Sequence, residues 1–496
     1  MKTEAPKTEG RLQWLSITGL PAYGTICLGQ LVSLTGSGLS GFVLGVWTYQ
    51  KTNSITKFGL VLFCTILPTV LILPVAGIIV DRLDRRKVMI FSDSIASLVS
   101  LTLASLLFIG KLQPWHIYPS IVTLSILNAF RYLSFSAVIT VLVDRKHYGR
   151  GIGMMQFAEA TSLIIAPGLA GVLIATISMS KIMLIDFATF LFSLLTLMIV
   201  RIPPIIAQPG SVRRQPLLAE LTFGWRYIVA RPGLMVLMIL FLLSNFNTGI
   251  WEVLLSPLLL RLSSPALLGT VLSIRSVGIL IASLAMSALG SSQRRILLVI
   301  LFSLVQALSL ILGGIHITVL ALSAAAILIS FSFPIINNCS QSIWQNKVPA
   351  DVQGRVFATR RMFTLMAVPA AYVLAGGLSD HLFEPWMREG GGLAGSVGRV
   401  IGVGPNHGIA LLFIVLGIIM VVEVVGCSLH PRIRGLEREL PDAVHPSASP
   451  EAVSVAAPNL LTVEGQEADA TQPDMRPMAR RVGKSEIETR MEISLD

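Results

Sequence analysis

The chain has 496 residues, 53% of them hydrophobic and 13% charged, with a mean hydropathy of +0.75, whereas a soluble domain carries about a quarter charged residues. This composition excludes a water-soluble enzyme, and it excludes disorder over most of the length, because disordered segments lack the apolar residues that dominate here. Lys and Arg number 38 against 27 Asp and Glu, yet residues 430–496 hold 8 basic and 12 acidic side chains; the positive surplus lies in the apolar part, as the loop charge of a membrane protein and not as a nucleic-acid surface.

Residues 1–17 read as a polar cytoplasmic N-terminal segment. The first apolar run, from about Leu20 to Trp47, is longer than the roughly 7–15-residue core of a cleaved signal peptide, so it predicts a transmembrane helix. Runs of about 20 apolar residues then recur, predicting spans at 18–47, 55–80, 87–109, 115–143, 151–176, 181–201, 234–260, 266–289, 295–314, 317–345, 355–379 and 407–429. The fold class expected is an all-α membrane protein of twelve transmembrane helices in two pseudo-symmetric six-helix bundles, 18–201 and 234–429. Basic residues gather in alternate loops, among them Arg82, Arg85, Arg86 and Lys87, then Arg145 and Lys146, Arg213 and Arg214, Arg294 and Arg295, and Arg432 and Arg434; the positive-inside rule places those loops and both termini in the cytoplasm.

Between the bundles, 202–233 is a cytoplasmic linker. Pro203, Pro204, Pro209 and Pro216 precede Leu217 to Ile228, a mix of apolar, aromatic and charged residues suited to a surface-lying helix. The halves echo each other: Gly149-Arg150 opens the fifth span as Gly354-Arg355 opens the eleventh, each followed at the same distance by a glycine, Gly171 and Gly376. Such repetition suits two related halves rocking about a midplane site. Residues 430–496, rich in proline and mixed charge, read as a largely disordered cytoplasmic tail. Cys27, Cys64, Cys339 and Cys427 all lie in apolar runs and read as small buried hydrophobes.

The segment Gly77-Ile78-Ile79-Val80-Asp81-Arg82-Leu83-Asp84-Arg85-Arg86-Lys87 resembles the loop signature of the major facilitator superfamily, with Asp84 in place of the family's central glycine. The resemblance implies a gating loop of Gly77, Asp81, Arg82, Arg85 and Arg86, with Asp81 facing the amino end of the eleventh helix at Gly354-Arg355, where the helix dipole favours a carboxylate. Glu220-Leu221 with Gly224, Tyr227 and Pro232, Gln30-Leu31-Val32-Ser33 with Gly36, and Val348-Pro349 are similar to the enterobactin-exporter and macrolide-efflux branch. Ala166-Pro167-Gly168-Leu169-Ala170-Gly171 is similar to an exporter element of the fifth helix; close helix packing explains the same small residues equally well.

A charge at the centre of a span costs about 2.5–3.5 kcal/mol on insertion scales, which marks each one as a candidate. Arg131 with Glu159 in the first half, and Glu252 with Arg275 in the second, lie at matching depths and are the proton-coupling candidates; the alternative for each is a static pair that specifies helix packing. Asp93, about a turn and a half inside the third span, is assigned to gating or structure beside the arginine loop. Asp186 lies near the outer surface, within reach of water, and Glu423 near the inner end of the last span, within reach of the surface. Gln30, Asn128, Asn245, Asn247, Trp251, Asn337, Asn338, Gln341, Arg360 and Arg361 are candidates for a central substrate cavity. Asparagines can equally join helices; Arg360 and Arg361 are the cue to an anionic substrate.

The sequence contains no G-x-x-x-x-G-K-[ST] and no histidine or cysteine cluster with metal-ligand spacing. No enzyme activity, cofactor or metal is expected. The partners expected are a small-molecule substrate, protons as coupling ion and the lipid bilayer, without nucleic acid. The spans imply a multi-pass membrane protein, and the resemblance to the enterobactin-exporter and macrolide-efflux branch implies that it exports an amphiphilic molecule, a siderophore or related natural product, in exchange for protons across a bacterial inner or plasma membrane. The alternatives are a multidrug or macrolide efflux pump, a lysophospholipid flippase and a non-transporting scaffold.

Overall fold

The computed structural model describes residues 19–144, 147–200, 217–289 and 295–429. The N-terminal segment, the loop residues Arg145 and Lys146, linker residues 202–216, Arg294 and the tail from 430 lie outside these, and with them the sequence expectations placed there. The first half comprises α1 (Gly19–Thr52), α2 (Ile55–Arg82), α3 (Arg85–Phe108), α4 (Pro114–Leu142), α5 (Tyr148–Thr176) and α6 (Met179–Ile199). After α7 (Leu217–Val229), the second half holds α8 (Pro232–Leu262), α9 (Pro265–Leu289), α10 (Arg295–Ile315), α11 (Val319–Lys347), α12 (Ala350–Leu378) and α15 (His407–Leu429). Two short turns, α13 (Glu384–Met387) and α14 (Gly398–Ile401), lie between α12 and α15. Twelve of these helices are long and apolar enough to cross a membrane, and the described residues contain no strand.

Local chemistry sets the helix ends. Ser54 caps α2 by accepting from the Lys57 amide, and Thr318 caps α11 by accepting from the Ala321 amide, each satisfying an otherwise orphan donor. Asp84 does the same for α3, accepting from the Arg86 amide at 2.9 Å; the residue that departs from the family's loop pattern thus starts the next helix. Pro119, Pro167, Pro257, Pro334 and Pro369 lie inside spans, where neighbouring helices make up for the lost backbone donor. Large apolar side chains such as Leu71, Phe91, Leu98, Phe157 and Leu320 are exposed, as lipid-facing surfaces require.

The buried core shows how the halves meet. One cluster joins them: Val46, Tyr49, Ile55 and Phe58 of α1 and α2 pack with Trp251, Leu254, Leu258, Ala371, Tyr372 and Phe413 of the second half. At the other end two clusters stay within their own halves, one around Tyr23, Met89, Phe135 and Leu197 and one around Leu237, Ile343, Trp344 and Val356. The halves are therefore fused at one end and parted at the end that carries the arginine loop.

Candidate functional site

The fused end is built from close backbone approach. A β-carbon on Gly376 of α12 would stand 2.3 Å from the Cα of Thr56, and one on Gly269 of α9 would stand 2.3 Å from the Pro167 carbonyl of α5, so only glycine fits. Hydrogen bonds crossing between the halves gather here. Asp380, just past α12, accepts from the Thr56 amide at 3.1 Å, the Thr56 hydroxyl at 2.9 Å and the Ser54 hydroxyl at 3.4 Å, capping α2 from the opposite half. Ser273 donates to the Ile164 carbonyl at 2.7 Å. Arg261, at the end of α8, donates to Tyr49 of α1 and pairs with Glu384 at 3.3 Å. At the other end, β-carbons placed on Gly77, Gly149, Gly153 and Gly354 meet nothing within 4 Å.

The gating-loop residues divide accordingly. Arg85 donates to the Ala137 carbonyl at 2.5 Å, and Arg86 to the Leu197 and Met198 carbonyls at 3.0 Å each; both dock α3 onto α4 and α6 within the first half. The side chains of Asp81 and Arg82 lie outside the described set. Gly354 is exposed, and Arg355 lies over the Phe223 ring of α7 at 4.1 Å. There Trp225 also stacks on Phe363 at 4.6 Å, fastening α7 to α12.

Inside the first half a cavity of about 310 Å³ is lined by Ser37, Ser40, Thr65, Thr69, Asp93, Asn128, Arg131, Asp186 and apolar neighbours. The Arg131 guanidinium meets Asp93 at 3.5 Å and donates to Ser33 and Asn128 at 2.9 Å each. Ser193 donates to Asp93 at 2.7 Å, and Gln30 donates to Ser193 at 3.0 Å. Two turns along α6, fully buried Asp186 accepts from Ser40 at 2.7 Å and Ser100 at 2.5 Å through one oxygen, while its other oxygen has no hydrogen-bond partner among the described residues. Two buried carboxylates, six hydroxyl or amide side chains and one guanidinium thus form a polar network of two hydrogen-bonded groups, in which an arriving charge or proton changes the partners of the carboxylate it reaches.

This arrangement corrects several sequence expectations. Arg131 pairs with Asp93 and not with Glu159, because α4 packs on α2 and α3 while α5 packs on α1 and α9. Half-buried Glu159 has no ion pair or hydrogen bond with the described residues. Asp93 belongs to this network and not to the arginine loop. Asp186 is not hydrated at the surface, because the inward faces of α1 and α3 present Ser40 and Ser100 to it. Trp251 and Asn247 do not line an open cavity. Trp251 is buried against Phe413 at 4.5 Å, and Asn247 donates to both carboxylate oxygens of Glu423 at 3.3 Å, which also turns Glu423 toward α8. Gln30 is likewise buried beneath Ser193. Asn245 and Asn337 each donate to their own helix, to the Phe241 and Phe333 carbonyls, and Asn338 is exposed.

In the second half Arg275 grips Glu252 with two hydrogen bonds, 2.7 and 2.8 Å, between α9 and α8. Hydrogen bonds to charged groups contribute about 1.5–3 kcal/mol, so Glu252→Gln is expected to lower the unfolding midpoint in detergent. The swapped pair Glu252→Arg with Arg275→Glu is expected to recover most of that loss. A swap no better than the single variant contradicts a role for the pair in holding α8 to α9. Arg360 of α12 donates to Gln341 at 2.9 Å and Ser340 at 3.1 Å, and Arg361 beside it is exposed.

Sequence reasoning missed Asp380, Thr56, Ser40, Ser100 and Ser193. The available signals were an aspartate three residues after the Gly376-Gly377 pair and serines one or two turns apart on α1 and α3; hydroxyls in spans are common, and their partners depend on helix rotation.

The sequence matches the Major Facilitator Superfamily over residues 26–371. It is 25% identical over 366 residues to macrolide efflux protein A of Streptococcus pyogenes, covering 72% of this chain and 89% of that protein. It is 24% identical over 368 residues to the multidrug efflux pump Tap of Mycolicibacterium fortuitum, covering 72% and 88%. Against the enterobactin exporter EntS of Escherichia coli O1:K1 / APEC it is 25% identical over 220 residues, 43% of this chain and 50% of that one. Among solved structures, the nucleoside transporter NupG aligns with a TM-score of 0.62 at 13% identity, covering 83% of this chain and 100% of that one. An inward-facing, unoccupied bacterial homologue of the human lysosomal transporter Spinster aligns with a TM-score of 0.59 at 13% identity, covering 85% and 98%. At these identities the structural likeness speaks to the fold.

Proposed function

The chain belongs to the major facilitator superfamily, and from that premise we propose that it is a proton-coupled exporter of an amphiphilic small molecule, a siderophore or related natural product, working by alternating access in a bacterial plasma membrane. The observation that carries this reading is the asymmetry of the two halves, sealed at one end and parted at the other, with a buried acid–arginine network beside the cavity. The parted end carries the arginine loop and is the cytoplasmic one by the positive-inside rule, so the described state accepts substrate from inside. Both termini then lie in the cytoplasm, and residues 202–233 form a cytoplasmic linker.

Coupling follows from the network. Arg131 divides its donors among Asp93, Ser33 and Asn128. Proton and substrate occupy the network in turn: in the state open to the outside a proton neutralises Asp93 and frees Arg131, because a buried carboxylate without its cation is costly. In the state open to the cytoplasm that proton leaves as the pair with Arg131 re-forms, and substrate binds the deprotonated network, so the two cross in opposite directions. Each charge moved down 100 mV yields about 2.3 kcal/mol, ample for concentrating a substrate. Glu159 on α5, without an ion pair among the described residues, is a second proton carrier in this scheme. Glu252 and Arg275 brace the other half.

A multidrug or macrolide pump is the second reading, favoured by the macrolide and multidrug efflux relatives matched over most of their length. Accumulation assays in cells stripped of their own efflux systems separate the two. Catecholate and citrate siderophores and macrolides are followed with and without a protonophore, for wild type and Glu159→Gln. Protonophore-sensitive export of one siderophore, reduced at least tenfold in Glu159→Gln, is the expected result. Export of many unrelated compounds supports the second reading, and no difference from cells lacking the protein overturns both.

A further inference from the structure

The membrane-embedded arginines of the two halves are not equivalent. Arg131 has Asp93 and Arg275 has Glu252, at 3.5 and 2.7 Å. Arg360 has only neutral partners among the described residues, the Gln341 carbonyl and the Ser340 hydroxyl. It lies ten residues into α12, about 15 Å from the parted end, too deep for simple escape to the surface. Its guanidinium is walled by aromatic rings, Trp344 with its centroid at 5.0 Å and Phe241 at 5.8 Å. Both rings are buried, whereas Arg360 and Gln341 remain partly exposed. A guanidinium carries five donors in a fixed fork, and two are engaged here, so donors remain for an incoming group.

From this we infer that Arg360, with Gln341 and Ser340 holding it and Trp344 and Phe241 beside it, is the subsite for an oxyanion carried by the exported molecule. The substrate is then an amphiphile with a carboxylate or phosphate near an apolar or aromatic body. The fork takes two oxygens of the anion and the rings flank the adjoining apolar part. Among the described residues Arg360 has no carboxylate partner in one half and Glu159 has no ion pair in the other, which also gives an anionic substrate a preferred orientation, its charge toward the second half. This inference rests on the exporter reading and narrows its substrate class toward anionic natural products.

The test is binding to the purified full chain in a neutral detergent, with dansylglycine and its methyl ester, which differ in one carboxylate charge. Wild type is expected to bind the acid about ten-fold more tightly than the ester, Arg360→Gln to bring the acid down to the affinity of the ester, and Arg360→Lys to restore part of the difference. Competition by lysophosphatidylglycerol against dansylglycine, but not by lysophosphatidylcholine, would assign the oxyanion to a lipid headgroup; competition by neither assigns it to a soluble organic acid. Equal affinity of acid and ester for wild type, binding of neither, or an Arg360→Gln loss shared by both probes overturns the subsite. Protonophore-sensitive export in cells, measured separately, still holds or fails by itself, so failure of the subsite is not failure of the exporter.

Discussion

Arg131→Met is expected to abolish export and to cost about 3–5 kcal/mol of stability, because it strands Asp93 as a buried charge without its cation. Both partners are almost wholly enclosed, with side chains 7% and 0% exposed, so water cannot take over the role of the guanidinium. The same reasoning makes the double variant Arg131→Met with Asp93→Asn the informative one. It removes both charges together, and replacing a whole buried pair is close to neutral for stability, whereas removing one member is not. Ser193, which donates to Asp93 at 2.7 Å, can donate to the asparagine oxygen as well. Thermal unfolding in detergent is therefore expected to return near the wild-type midpoint in the double variant while protonophore-sensitive export stays absent. Recovery of both would make the pair structural; recovery of neither would mean that Arg131 serves Ser33 and Asn128 more than Asp93.

The second large effect is expected at the seal. Gly376→Val places a branched side chain where a single β-carbon already falls 2.3 Å from the Thr56 backbone, and overpacking of this kind costs about 1–3 kcal/mol. That cost applies only while this end is closed, so the equilibrium moves by about 5- to 150-fold toward the state open here and closed at the arginine-loop end. Asp380→Asn acts on the same seal more gently, since a capping interaction contributes about 1 kcal/mol. Spin labels on Gly77→Cys and Gly354→Cys, two positions with open space around them, report the other end, in a background whose native cysteines are replaced. Their separation is expected to shorten in Gly376→Val as the arginine-loop end closes. An unchanged separation would show that the two ends do not move as one body.

The geometry gives α2 and α12 a reciprocal character. They run antiparallel across the boundary between the halves, and at the sealed end an aspartate just after α12 caps the start of α2. At the other end the sequence resemblance implies a second carboxylate lock on the same helix pair, Asp81 facing the start of α12.

The twelve spans were legible in the sequence because lipid demands a long apolar run for each crossing, and neither the spacing of polar residues nor packing alters that count. Which helix faces which was not legible. A span apolar on all sides gives little rotational signal, so matching depths offered Arg131 a partner in Glu159, while helix packing gave it Asp93. Depth likewise put Asp186 within reach of water, yet Ser40 and Ser100, on two other helices, enclose it. The pair Glu252 and Arg275 meets on neighbouring helices, where equal depth is nearly sufficient. Trp251 is amphipathic enough for a cavity wall but sits where α8 meets α15, against Phe413. Asp380 escaped notice because its significance lies in Thr56, more than three hundred positions earlier, and no local pattern links them.

The most direct test of coupled export uses purified protein in liposomes that enclose a pH-sensitive dye and hold an imposed proton gradient. Addition of the siderophore or macrolide identified in the cell assay is expected to collapse the gradient faster than in empty liposomes, in step with substrate accumulation, and to do so no longer in Asp93→Asn. Substrate movement that leaves the internal pH unchanged, or a gradient that decays alike with and without substrate, would contradict proton-coupled export by this chain.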